Sequence, residues 1–299
     1  MKKNNIKRLA VLALAAAMAV PTLGITDTGG MTTVQAAAKK PTLSKKSLTL
    51  AAGKAKKLKV KNAKKKVKWK SSNKKVATVS KKGKVIAKSP GKAVIYAGIG
   101  KKKLKCPVTV TFSETKAKQN IDMTYEQGDR CTVAYFYNGN TYDVSVSATM
   151  ASYDSAGSPL DTSYDTNYCV GAGETVILDF NNPKVDHEYF RPDNYKITYT
   201  LSESYHKSYA KKISETHSFT DKGILTEVTN NSDKQLSTIS IKCLMYDASG
   251  NLIDVAEQYA HCNDAGSTDY VTFSYPLDAT NRPAQPASCT VYVDSAYSY

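Results

Sequence analysis

Between Lys39 and Lys118 the chain contains no arginine and a single acid, Glu114, against 27 lysines, a formal charge of +26. The missing arginines argue against specific bidentate reading of phosphate or carboxylate, which uses the planar guanidinium fork; lysine is a compact, strongly hydrated point charge. What remains suits diffuse attraction of polyanions, long in range and weakened by salt. From Gln119 to Tyr299 the balance reverses, with 11 basic residues against 24 acids or −13, so the overall +16 conceals a basic part joined to an acidic one.

Long apolar runs are scarce. Leu9 to Val20 follows Lys2, Lys3, Lys7 and Arg8, and at about a dozen residues it falls short of the roughly 20 that a membrane-spanning helix needs. Residues 1–38 read as a signal peptide, with cleavage expected near Ala38 in the small-residue stretch Val34 to Ala38. No cysteine able to take a lipid follows the run, and Tyr292 to Tyr299 carries neither a sorting motif nor a hydrophobic tail. The expectation is a chain that is secreted or held non-covalently at the cell surface, with no transmembrane segment in its mature form.

Metal and nucleophile patterns are missing too. Six cysteines, Cys106, Cys131, Cys169, Cys243, Cys262 and Cys289, include no CxxC or other zinc spacing. An exported chain permits disulfides among them without specifying any pairing. His187, His206 and His217 lack ligand spacing. His261, Cys262 and Asp264 are near neighbours in sequence, but adjacent side chains on a strand point to opposite faces, which does not build a Cys-His pair. The chain is expected to be non-enzymatic, with no catalytic residue, cofactor or metal site.

What is present is β structure. Leu48 to Leu50, Lys57 to Val60, Val67 to Trp69, Val76 to Val79, Val85 to Ala87, Ala93 to Ala97 and Leu104 to Thr111 read as seven short strands separated by turn signals. Alternation turns Val67, Trp69, Leu104, Cys106, Val108 and Val110 inward, and Lys66, Lys68, Lys70, Lys103 and Lys105 outward. The single tryptophan, Trp69, is expected to fill the core, Ser71 to Asn73 to turn, and Gly91 after Pro90 to open the next hairpin. The ordered elements Leu48, Leu50, Gly53, VKWKSSN, VATV, Gly83, AKSPGKAVI and CPVTV resemble the bacterial immunoglobulin-like domain, group 2. That resemblance implies an Ig-like sandwich and a surface or adhesion role.

The acidic part contains an internal repeat. Met150 to Asp161 aligns with Cys243 to Asp254 at an offset of 93, which also brings Cys169 onto Cys262, Gly173 onto Gly266 and Phe180 onto Phe273; one further residue aligns Pro192 with Pro286 and Ile197 with Val291. Alternation in Val144 to Met150 and Ser237 to Asp247, with turns at Asp154 to Gly157 and Asp247 to Gly250, makes each copy β. Glu227 to Asp254 resembles the small FxLYD-type β-sandwich domains of secreted bacterial proteins. The expected fold is all-β: signal peptide 1–38, Ig-like sandwich 39–112, linker 113–119, repeat 120–205, linker 206–212 and repeat 213–299.

Lysines at alternate strand positions stand roughly 6.5 to 7 Å apart on one face. The expected polyanion-binding set is Lys57, Lys59, Lys61, Lys64, Lys65, Lys66, Lys68, Lys70, Lys101, Lys102, Lys103 and Lys105, with an anionic cell-wall polymer or acidic glycan as partner and no sequence-specific nucleic acid. The alternatives are a solvated, solubilising face, neutralisation of the basic part by the acidic repeats, or a stalk that presents those repeats to a protein or glycan. Asp154, Asp161 and Asp165, or Asp247 and Asp254, could supply calcium oxygens, but hairpin turns favour Asp and Gly for backbone reasons alone. The clustered tyrosines, such as Tyr135 and Tyr195, fit half-buried sheet faces.

Overall fold

The computed structural model describes residues 39–185, 188–277 and 282–298, and the expected signal peptide lies outside them. The basic part forms β1 (Thr42–Leu43), β2 (Leu48–Ala51), β3 (Ala55–Lys57), β4 (Val60–Lys61), β5 (Lys68–Ser71), β6 (Ala77–Val79), β7 (Lys84–Ala87), β8 (Gly91–Ile99) and β9 (Lys102–Thr111). A sheet of order β2-β9-β8-β5 faces one of order β3-β7-β6, and β1 pairs with β4. The β2 to β9 ladder is parallel, Leu48 opposite Val108, while β8 and β9 are antiparallel. Leu58, Val85, Ile95, Cys106 and Val108 fill the space between the sheets, each large apolar side chain contributing about 1.5–3 kcal/mol of burial.

Trp69 packs against this core without being fully enclosed by it. It is half-buried at the edge, over Gly83. A Cβ at Gly83 would lie 2.5 Å from the Leu58 carbonyl oxygen and 2.9 Å from Trp69 Cζ2, with φ at +79°. Gly83→Ala is therefore expected to destabilise this sandwich by about 2 kcal/mol, measured as earlier denaturant exposure of the buried Cys106 thiol. Ser71 to Asn73 turns as expected, with Ser71 Oγ donating to the Asn73 carbonyl at 3.0 Å and Asn73 Oδ1 accepting from the Lys75 N–H at 3.0 Å.

The segment expected as linker 113–119 is ordered: helix α1 (Glu114–Ala117) leads into a 3-10 turn at Lys118–Asn120, and Ala117 is buried in the next core. There follow β10 (Ile121–Gln127), β11 (Cys131–Asn138), β12 (Val144–Tyr153), β13 (Pro159–Val170), β14 (Thr175–Asn181), β15 (Lys184–Val185), β16 (Glu188–Tyr189) and β17 (Asn194–Glu203). Sheets β10-β11-β14 and β13-β12-β17 enclose Phe136, Met150, Leu178 and Phe180. After them come β18 (Lys207–Ser208), β19 (Ile213–Thr220), β20 (Gly223–Asn230), β21 (Thr238–Tyr246), β22 (Leu252–Tyr259), β23 (Thr268–Phe273) and β24 (Ser288–Ser298), in sheets β19-β20-β23 and β18-β24-β21-β22. The 206–212 segment thus supplies an edge strand, β18, and a 3-10 turn at Ala210–Lys212.

The two strand sets share pairing and detail. β12 lies between β13 and β17 as β21 lies between β22 and β24, with register shifts at Ser152/Tyr153 and Met245/Tyr246. Buried Asn138 donates to the carbonyls of Tyr142, Val170 and Gly171, and Asn230 donates to those of Lys234, Asn263 and Asp264. A chain reversal without its own backbone ladder is held in both places by one amide side chain.

The two sets pack face to face. β11, β14 and β21 are buried on both sides, so their runs are nearly continuous in apolar residues where a half-exposed strand alternates. Cys131, Val133 and Ile177 from one set meet Leu244 and Leu252 from the other, flanked by Tyr135, Tyr246 and Tyr292. Inside this interface Lys242, its side chain 3% exposed, donates from Nζ to Asp179 Oδ1 at 2.6 Å, Asp165 Oδ2 at 3.0 Å and the Ile177 carbonyl at 3.0 Å. Burial alone would lower the ammonium's pKa, but Asp294, Asp179 and Asp165 together outweigh it and raise it. Asp294 accepts from the Ile177 N–H at 3.0 Å and from Asn167 Nδ2 at 3.0 Å. Its burial pushes its pKa up to about 6 against the pull of Lys242.

Candidate polyanion-binding surface

All twelve lysines of the expected set are exposed, but they do not form one continuous face. Lys68 and Lys103 stand opposite Gly98, and Lys70 and Lys105 stand opposite Tyr96, so these four share the outer face of the β5-β8-β9 sheet. Tyr96 lies among them, with Lys103 Nζ 3.9 Å from its ring centroid. Lys65 lies beside Gly100 in the β8 to β9 turn, next to Lys101 and Lys102, at one end of the sandwich. Lys57, on β3, belongs to the opposite sheet, where it pairs with Lys84. Among the described residues, the ion pairs engage no lysine between Lys39 and Phe112. Glu114, the lone acid of the basic segment, is bound to Lys118 Nζ at 2.9 Å and to the Leu201 N–H at 3.2 Å. Those bonds hold its pKa below the usual range.

A second cationic feature was outside the expected set. Where the sandwich meets the following sheets, a cleft of about 730 Å³ is rimmed by Lys74, Lys75, Lys88 and Lys116. Its apolar wall is Ile86, Ala87 and Tyr142. Ser89 and Thr141 hydroxyls share a 2.9 Å hydrogen bond across the junction. The 139–142 loop is fixed by buried Asn140, which donates to the Ala117 carbonyl at 3.1 Å and to Asn138 Oδ1 at 3.0 Å. Sequence spacing did not indicate this cleft, because its two sides are separated by tens of residues.

The remaining candidates have structural occupations. All six cysteines are free thiols. Burial raises the thiol pKa of Cys131 and of Cys169 to about 12, and raises that of Cys262 as well, which keeps thiolate scarce. His261 presents its backbone N–H to Asp269 at 2.7 Å, and His187 lies outside the described residues. Asp154 and Asp247 cap their turns: Asp154 accepts from the Ser158 N–H at 2.7 Å, and Asp247 accepts from the Ser249 and Asn251 N–H groups at 2.8 Å each. Asp165 faces Lys242, and Asp254 faces Arg130 at 3.4 Å. Among the described residues there is no group of three or more His, Cys, Asp or Glu side chains arranged to hold a metal ion, and no helix long and apolar enough to cross a membrane.

Residues 37–119 match the family model of the bacterial Ig-like domain (group 2). No curated protein matches the chain. One solved structure that matches is red sea bream transglutaminase, at 10% identity over 60% of this chain and 30% of that one, with a TM-score of 0.20. A likeness at that score carries no argument, and the match spans 30% of the transglutaminase's length. The family match and the nine-strand sandwich it covers identify the basic part of this all-β chain as a bacterial Ig-like domain of group 2, which is consistent with a surface- or adhesion-type protein.

Proposed function

We propose that this is an exported, non-enzymatic binding protein whose lysine-rich Ig-like domain associates with anionic polymers of a cell wall or host surface. The observation that carries the reading is the row of exposed lysines around Tyr96, with no acid paired to them among the described residues. A solubilising face does not need charge of one sign only, and neutralisation by the acidic repeats of the same chain would call for ion pairs to the sandwich. The buried thiols with raised pKa and the aspartates spent on turns support a non-enzymatic role.

Lysine-phosphate or lysine-carboxylate attraction releases counterions, so affinity falls steeply with salt. The chain is expected to bind immobilised polygalacturonate at about 50 mM salt and to lose at least about tenfold in affinity by about 500 mM. Binding that persists unchanged at about 1 M salt, or that is absent at the lowest salt, overturns the reading. If deleting Lys39 to Lys118 leaves cell association intact, the binding site belongs to the repeats and the sandwich is a stalk.

A further inference from the structure

We propose that the cleft between the Ig-like sandwich and the α1 to 3-10 segment with the 139–142 loop is a discrete subsite for a carboxylated saccharide. The proposal rests on the polyanion reading above and names the ligand class that the lysine surface gathers. Four lysines line the cleft, Lys116 with its ammonium bound to Gln119 at 2.9 Å, and no acid lines it. The one acid close in sequence, Glu114, is tied to Lys118 and the Leu201 N–H. Its volume of about 730 Å³ falls among small-ligand sites, about 300–1,000 Å³.

The walls are built before any ligand arrives. The Ser89 to Thr141 bond ties one side to the other, and the Asn138 and Asn140 amides lock the loop that carries Tyr142. Tyr142 is further held edge-on to Phe112, ring centroids 6.3 Å apart. A prebuilt site spends less binding energy on ordering side chains and loops.

The mixed lining selects the chemistry. Lys74, Lys75 and Lys88 are exposed ammonium groups that attract an anion without telling carboxylate from phosphate. Ile86, 38% exposed, and the Tyr142 wall offer apolar surface that a flexible polyol phosphate has no ring to cover, whereas the C–H face of a pyranose does. Asn120 and the Ser89–Thr141 hydroxyl pair, bonded to each other at 2.9 Å, add polar groups to the same lining. The open lysine face attracts any polyanion; the cleft adds shape.

The test is calorimetric titration of the full chain with tetragalacturonate at about 50 mM salt. The triple variant Lys74→Gln, Lys75→Gln, Lys88→Gln is compared with Lys45→Gln, Lys46→Gln, Lys81→Gln, which removes the same charge outside both the cleft and the expected binding set. All six side chains are exposed, so folding is not at stake. The cleft variant is expected to lose about tenfold in affinity and the control variant under about threefold. A glycerol phosphate oligomer of equal charge is expected to bind more weakly than the saccharide. Equal loss in the two variants, or equal affinity for the two oligomers, overturns the subsite. If long polygalacturonate binds but tetragalacturonate does not, the cleft proposal alone falls; if neither binds, the polyanion reading falls with it.

Discussion

Lys242→Met is expected to lower the free energy of separating and unfolding the paired repeats by about 3–5 kcal/mol, the usual cost of deleting one partner of a buried ionic cluster. Methionine keeps most of the volume, so the loss is chiefly electrostatic. It leaves Asp294, 6% exposed, together with Asp165 and Asp179 around an apolar side chain. Cys131 reports the event, since its thiol is buried in the interface between the two sheet sets. Cys106 sits in the Ig-like core and serves as the internal control. Thiol labelling in a urea series, read by peptide mass, should show Cys131 reacting at markedly lower urea in the variant and Cys106 unchanged. A shift in Cys131 worth less than about 1 kcal/mol means the cluster is screened like a surface pair.

The second large effect is a pH dependence set by Asp294. Its folded pKa of about 6 lies above the ordinary 3.8, so the folded repeats bind its proton more tightly than the unfolded chain does. The associated stability is fully present below about pH 4 and is lost as pH rises through about 6, roughly 3 kcal/mol for a shift of about two units. The groups facing Asp294 are Lys242, Asp165 and Glu257, with Asn167 and the Ile177 N–H as hydrogen-bond donors. Lys242 has its pKa raised and keeps its charge through this window. Stability from Cys131 labelling should therefore increase from pH 7 to pH 5, and Asp294→Asn should flatten that slope. A slope of the opposite sign, or one unchanged in the variant, removes Asp294 from the role.

The local features were readable because they are carried by neighbours in sequence. Cys106, Val108 and Val110 alternate with more exposed residues, so their inward faces followed from the period of a strand. Gly157 and Gly250 hold φ at +83° and +81° in turns begun by Asp154 and Asp247, a requirement visible in the residue types.

Lys242 was not readable in the same way. Within Ser237 to Asp247 it looks like any polar residue on the outward face of a half-buried strand. Its meaning depends on Asp165, 77 residues away, and Asp179, 63 residues away, brought there by a sheet that is buried on both faces. Trp69 faces the core as expected but at shallower depth, because alternation gives the side of the sheet and not the burial; its ring lies over Gly83. The junction cleft needs Lys74 from the sandwich and Tyr142 from the 139–142 loop around one space, which no single segment encodes.

The parallel pairing of β2 with β9 has a mechanical consequence. After β1 the chain enters β2 at the Leu48 end of that ladder and leaves β9 at its Thr111 end, and in a parallel pair these ends lie at opposite extremes. Tension applied between the domain's two ends therefore slides the strands past each other and loads their rungs together, where a hairpin pulled from its open end would unzip one rung at a time. A pull carried along the chain from the residues before β2 to the repeats beyond β9 is thereby borne by a short ladder of four paired residues, Leu48 to Ala51.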